Sequence, residues 1–201
     1  MSNRTALTRE LLQRTALTLF TEKGYDATTV NDIAAAAGVS HMTFFRHFPT
    51  KEAVLMDDPY DPVLADAVLA QPADLPALER VRRGLLAAWG ALPEPAGEDT
   101  RLRISLVAGH PGLQAAAWTN NQRTEKIVVD ALTGAGCDRL EARVATGACL
   151  GALLAALFEW GGDSSDESLG SRIRRALAVL APAGSPDSRP ATGPTTAGSE
   201  S

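Results

Sequence analysis

Residues 29–48 read TVNDIAAAAGVSHMTFFRHF, and the fold turns on this stretch. Val30, Ile33, Ala34 and Ala37 form one stripe at helical spacing, and Thr29 with Asp32 makes a capping box in which aspartate replaces the usual glutamate. Gly38-Val39-Ser40 is then a tight turn, because glycine reaches backbone conformations closed to most residues and serine caps the next helix. That helix is short, residues 41–48, and Pro49 ends it. Phe44 and Phe48, four apart, share its inner face, where Ile33 and Leu19 can receive them. Ser40, His41, Met42, Thr43, Phe45, Arg46 and His47 are left facing outward or obliquely. Two helices joined by a three- or four-residue turn containing glycine form the motif whose second helix enters the DNA major groove. Small donors, one cation and two imidazoles around two apolar anchors make a surface built to be presented.

Working outward, an all-α chain emerges. Leu12, Ala16, Leu19 and Phe20 mark a first helix over residues 4–23, closed by Gly24. Thr50 caps a fourth helix that begins at Lys51. Asp57, Asp58 and Asp61 resemble a metal site only superficially, since Pro59 and Pro62 make this a solvated linker between domains. Long amphipathic helices follow, the first with Leu78, Val81, Leu85, Trp89 and Leu92 on one stripe. Further helices are expected from about Thr100 to a break at Gly109-His110-Pro111-Gly112, then over residues 113–132, 138–160 and 167–180. The expected division is a helix-turn-helix domain over 1–52, a larger helical domain over 53–181, and a disordered tail, rich in Pro, Ser, Gly and Thr, over 182–201.

Composition narrows the function classes. Of the net charge of −5, the first 52 residues hold six Lys/Arg against five Asp/Glu, so the head is nearly neutral and the body acidic. Such a body repels nucleic acid everywhere except through the head. Cys137 and Cys149 show no metal-ligand spacing and are expected as core thiols of a reducing compartment, the cytoplasm. The apolar run 144–158 is 15 residues, short of the roughly 18 a membrane span needs, so no membrane partner is expected. No nucleophile elbow, phosphate-binding loop or zinc-protease motif occurs, so the chain is read as no enzyme, with no cofactor and no metal.

Two later helices carry further signals. In residues 113–132 the inward stripe Leu113, Ala117, Val128, Ala131 is interrupted by Asn120, Asn121 and Thr124. Buried polar groups need partners. Either these residues, with Arg101 or Arg103 from the preceding helix, orient a small ligand in an apolar cavity containing Trp89 or Trp118, or the stretch surfaces between helix crossings. His110 either shapes the interhelical corner beside Pro111 or lines that cavity. Gly147 and Gly151 sit four apart in an apolar helix, which costs roughly 1 kcal/mol each relative to alanine and points to close approach of another helix.

Through Phe20, Gly24, Thr28-Thr29-Val30, Ile33-Ala34, Ala37-Gly38-Val39-Ser40, Thr43-Phe44-Phe45, His47-Phe48 and Lys51-Glu52-Ala53-Val54-Leu55, the chain resembles the TetR/AcrR family of bacterial repressors. The resemblance implies an N-terminal three-helix helix-turn-helix domain followed by a helical ligand-binding and dimerisation domain. It implies that Ser40, His41, Met42 and Thr43 approach base edges, with Thr29, Phe45, His47 and Lys51 set against the DNA backbone and Arg46 beside them. Phe45 stands where tyrosine is usual and cannot donate to a phosphate. The family's last two helices build a two-fold four-helix dimer interface, so Val144, Gly147, Gly151, Leu154 and Phe158 serve either that seam or internal packing. Expected partners are therefore a palindromic double-stranded DNA operator, a second copy of the chain, and a small-molecule effector bound near Trp89, Arg103, His110, Trp118, Asn121 and Thr124. The alternative is a ligand-independent DNA-binding regulator or an activator.

Overall fold

The computed structural model describes residues 3–56, 61–91, 98–163 and 166–182. Ten helices occur among them: α1 (Asn3–Lys23), α2 (Val30–Ala36), α3 (His41–His47), α4 (Ala53–Met56), α5 (Asp61–Leu69), α6 (Ala77–Gly90), α7 (Glu98–Gly109), α8 (Pro111–Gly134), α9 (Arg139–Gly162) and α10 (Leu169–Ala178). No strand is present among the described residues.

The local signals act as expected. Thr29 and Asp32 close a reciprocal capping box, with the Thr29 N–H donating to the Asp32 carboxylate at 2.8 Å and the Asp32 N–H to the Thr29 hydroxyl at 3.1 Å. Gly38 takes φ +67°, a left-handed turn that residues with a Cβ rarely adopt. Thr50 accepts from the N–H of Ala53, so the fourth helix starts two residues later than expected. His110 caps α8, its Nδ1 accepting from the Leu113 N–H at 3.3 Å, and Pro111 falls at the first helical position, where a missing N–H costs nothing.

One expectation is corrected here. Asp61 and Pro62 do not belong to a solvated linker: they open α5, which packs on α6 and α8. Proline is tolerated in a first helical turn, so Pro62 starts this helix instead of preventing one. Asp57, Asp58 and the tail from residue 183 lie outside the described residues.

Helix α9 is the hub: α6, α7, α8 and α10 all pack on it, and α10 also touches α6. By length and composition alone α9 would suffice to cross a membrane, longer than the 15-residue run suggested, yet here it is the central core helix, with Ala142, Ala145, Cys149 and Leu150 buried against its neighbours. The second apolar cluster does not stop at the head. Phe20, Ile33, Phe44, Phe48, Val54 and Leu55 run on into Val107 of α7, Leu113 and Ala117 of α8, and Leu154 of α9. Burial of apolar surface therefore fastens the N-terminal helices to the larger bundle through α4, α7 and α8.

Candidate nucleic-acid interface and effector cavity

Helix α3 is held from behind by the inward Phe44 and by Phe48 at its C-cap, both fully buried. Arg9 of α1 adds a clamp that sequence spacing does not reveal: its guanidinium lies 4.5 Å over the Phe48 ring and donates to the carbonyl of His47 at 3.0 Å. A cation at a helix C-terminus satisfies one of the last free carbonyls and complements the helix dipole.

The outward face carries a short hydrogen-bonded chain. The Ser40 hydroxyl accepts from the Thr43 N–H at 3.1 Å and lies 2.9 Å from the Thr43 hydroxyl, which in turn accepts from Arg46 at 3.2 Å. Met42 is 74% exposed and stands alone at the tip. His41 meets Phe45 edge to face at 4.7 Å, so Phe45 contributes a supporting ring beside the exposed imidazole. Burial, then the nearby Arg46 and Arg9, lower the pKa of His47, which keeps that ring neutral at physiological pH and makes it a hydrogen-bonding group, not a cation. At α2 the Thr29 hydroxyl also donates to the Asp32 carboxylate at 2.6 Å, so this terminus already carries an anion of its own.

Lys51 has a task beyond the one expected. Its Nζ donates to the carbonyls of Tyr25 at 2.9 Å and Thr28 at 3.1 Å and lies 3.9 Å over the Tyr25 ring. Two of its three N–H bonds thus close the corner between α1 and α2. Replacing it with methionine is expected to lower the stability of the chain by about 1–3 kcal/mol, since two carbonyls lose a charged donor. Thermal melting checks this. An unchanged melting temperature would show that the ammonium does not hold the corner.

Tyr25 links this corner to the body. Its hydroxyl donates to Glu52 at 2.5 Å, and its ring packs edge to face on His110 at 4.9 Å. Burial first, then Glu52, push the Tyr25 pKa well above its ordinary value, so the phenol stays protonated. His110 Nε2 lies 3.2 Å from Asp26. Because Nδ1 accepts from a backbone N–H, the ring proton sits on Nε2 and is donated to Asp26. His110 therefore shapes the α7–α8 corner and does not line the cavity.

That cavity, of about 270 Å³ and part-open to solvent, lies between the helices of the bundle. Of the residues expected to form it, Trp89, Arg103, Asn121 and Thr124 line it, joined by Asn120. Trp118 does not: one residue beyond Ala117 it turns about a quarter of the way round α8, leaves the face shared by Ala117, Thr124 and Val128, and is 51% exposed. Helix α9 contributes Leu150, Leu153, Leu157 and, against expectation, Leu154 and Phe158. The row Val144, Gly147, Gly151, Leu154, Phe158 repeats every 3.5 residues and so keeps to one broad face of α9, whose covering changes along the helix. It begins on the open face, with Val144 62% exposed, and ends inside the cavity. The open face continues through Ala148 and Ala155 instead. At Gly147 and Gly151 an added Cβ would meet nothing within 4 Å, so no helix of this chain approaches them among the described residues. Sequence spacing does not flag Leu55 and Met56 of α4, which close one end of the cavity directly behind the head.

Comparison with known proteins agrees with this geometry. Residues 12–56 match the family described as bacterial regulatory proteins, tetR family, and residues 75–184 match the one described as MftR C-terminal domain. The chain is 35% identical over 125 residues to the HTH-type transcriptional regulator TcmR of Streptomyces glaucescens, covering 59% of this chain and 55% of TcmR. It is 44% identical over 39 residues to IcaR, the negative transcriptional regulator of the biofilm operon icaADBC in Staphylococcus aureus (strain Newman), covering 19% and 21% of the two chains. The matches thus span about half of TcmR and a fifth of IcaR. Among solved structures it is similar to NalD, the secondary repressor of the MexAB-OprM multidrug efflux pump in Pseudomonas aeruginosa, with TM-score 0.55 and 20% identity over 89% of this chain and 96% of NalD. The fatty acid degradation regulator FadR of Bacillus halodurans superposes with TM-score 0.53 and 18% identity over 86% and 94%. At these identities the structural likeness speaks to the fold.

Proposed function

Because the chain belongs to the TetR family of transcriptional regulators, we propose that it is a cytoplasmic, ligand-responsive repressor that binds a palindromic operator as a homodimer. The supporting observation is the shared wall: Leu55 and Met56, immediately behind the reading head, line the same cavity as Arg103, Asn121 and Thr124. A small molecule seated there touches the segment that sets the position of the head relative to the bundle. It shifts the protein toward a release state only through a difference in affinity for the two arrangements. The helix dipole, the few placed cations, the exposed Ser40, His41 and Met42 and the half-buried Thr43 supply the DNA-facing chemistry, with Phe45, Arg46, His47, Thr29 and the third N–H of Lys51 set toward the backbone.

One head reads too few bases to specify a site, so two are needed, in successive major grooves roughly 34–36 Å apart. Selection of the full chain on randomised duplex DNA is expected to yield two inverted half-sites whose centres lie about 10 base pairs apart. Met42→Ala should change the base preferred at one symmetric pair of positions and leave the spacing intact. Selected sequences without two-fold symmetry would refute the dimeric reading, and a Met42 change without effect on preference would remove α3 from the reading surface.

A further inference from the structure

We infer that the cavity takes a compact apolar monoanion, a carboxylate on a hydrocarbon or aryl body, with Arg103 as the residue that selects the charge. This rests on the reading of the cavity as the effector site. The lining is dominated by Trp89, Phe158 and the leucines and isoleucine of α7 and α9, and Arg103 is its one charged member among the described residues. No carboxylate faces it there. Elsewhere in the body the arginines that are drawn inward have acceptors or a ring: Arg82 holds Glu79, Arg172 holds Asp163 and Glu167, Arg80 donates to the carbonyl of Leu69, and Arg101 lies over Trp160. The Arg103 side chain, half-buried in the cavity wall, makes no hydrogen bond or ion pair among the described residues. Arg103 is therefore the cation on this lining that is left to pair with an entering anion, and a charge-assisted contact against a mostly apolar wall is stronger than one in open water.

The chemistry of the wall agrees. The planar fork of Arg103 on α7 matches a carboxylate bidentately. Asn120 and Asn121 on α8, whose side chains also make no hydrogen bond among the described residues, add amide donors on the same lining. One cation without a balancing acid favours one negative charge and disfavours an amine. The volume, about 270 Å³, lies just under the usual range of roughly 300–1,000 Å³ for small-molecule sites. A site of that size suits a compact ligand and not a long-chain one.

The test uses the full chain and two matched pairs, octanoate with octanamide and 4-phenylbutyrate with 4-phenylbutanamide. Binding is read by thermal shift and calorimetry, and operator release by fluorescence anisotropy in the same titrations. The acids are expected to bind at least tenfold tighter than their amides, the scale of one charge-assisted hydrogen bond. Arg103→Gln should erase that preference, Arg103→Lys should keep part of it, and Arg123→Gln, on the exposed side of α8, should leave it unchanged. Melting curves of the unliganded variants establish that each is folded. Amides binding as tightly as acids, acids binding Arg103→Gln as tightly as the parent, or no binding by any of the four would each overturn the inference. Amides that bind as tightly as the acids and release operator would overturn it while leaving the effector reading intact. Acids that bind through Arg103 without changing operator affinity would support it and overturn the effector reading.

Discussion

A chain carrying Gly151→Arg is expected to fold as the parent does, to sediment as a monomer, and to lose specific operator affinity by three orders of magnitude or more. The reasoning starts from α9. Leu140 is 71% and Val144 62% exposed, and with Ala148 and Ala155 they make an apolar face that no other helix of the chain covers among the described residues. Gly147 and Gly151 lie along it with open space where a Cβ would be. A helix-interior glycine costs roughly 1 kcal/mol relative to alanine, and nothing described inside this protomer offsets that cost. A second copy of α9 crossing here would, because glycine lets two backbones approach. An arginine at 151 would place a long charged side chain in that crossing while meeting no obstacle in the monomer. Specific DNA binding exceeds non-specific binding by roughly 10³–10⁷, and most of that margin depends on two heads acting together. The milder Gly151→Ala separates the terms: the monomer should gain up to about 1 kcal/mol from helix propensity while the dimer weakens. Sedimentation velocity and anisotropy with operator DNA check both. A Gly151→Arg chain that remains dimeric would remove this face from the interface.

The glycines also show where sequence reading stops. Spacing singles out Gly147 and Gly151 for close approach, yet within the chain the tight crossings are elsewhere. A Cβ at Gly84 would lie 2.6 Å from the Val68 Cα, where α6 crosses α5, and one at Gly161 would lie 2.9 Å from the Ile104 carbonyl oxygen, where α9 meets α7. Those positions are fixed by which helices meet, and no local pattern encodes that. Features that depend on neighbours in sequence are legible: the capping box at Thr29, the turn at Gly38, the cap at Ser40, the inward pair Phe44 and Phe48, and the polar interruption at Asn121 and Thr124. Those that depend on distant partners are not. Lys51 finds its carbonyls 23 and 26 residues away, and His110 meets Asp26 across 84 residues. Helix α5 escapes for a different reason, because proline-flanked aspartates suit a linker and a helix start equally well.

Glu79→Gln is expected to destabilise the chain by about 3–5 kcal/mol at pH 7, a large part of the roughly 5–15 kcal/mol that holds a typical domain folded. Arg82 is 2% exposed, the bulkiest of the fully buried side chains, and Glu79 grips it at both Nε (2.8 Å) and Nη2 (2.9 Å) while also accepting from Arg83. Glutamine keeps the shape but removes the charge that balances the guanidinium. Breaking one half of a buried pair costs far more than the pair itself contributes. Replacing both halves, Glu79→Leu with Arg82→Met, should therefore recover most of the loss. The same carboxylate sets a pH dependence. Hydrogen bonds from Arg82, ahead of the opposing effect of burial, lower its pKa from 4.5 to about 2. A depressed folded-state pKa means the stabilisation is complete above the unfolded value and is lost as pH falls from about 4.5 toward 2. Urea melts across that window should show the parent losing this increment while the Gln variant, already without it, changes less. The pair lies on α6 two to three turns before Trp89, so it anchors the helix that carries one wall of the cavity. A loss below about 1 kcal/mol for Glu79→Gln at pH 7 would mean that Arg82 reaches another acceptor when its carboxylate is gone, and that α6 is held by its apolar stripe alone.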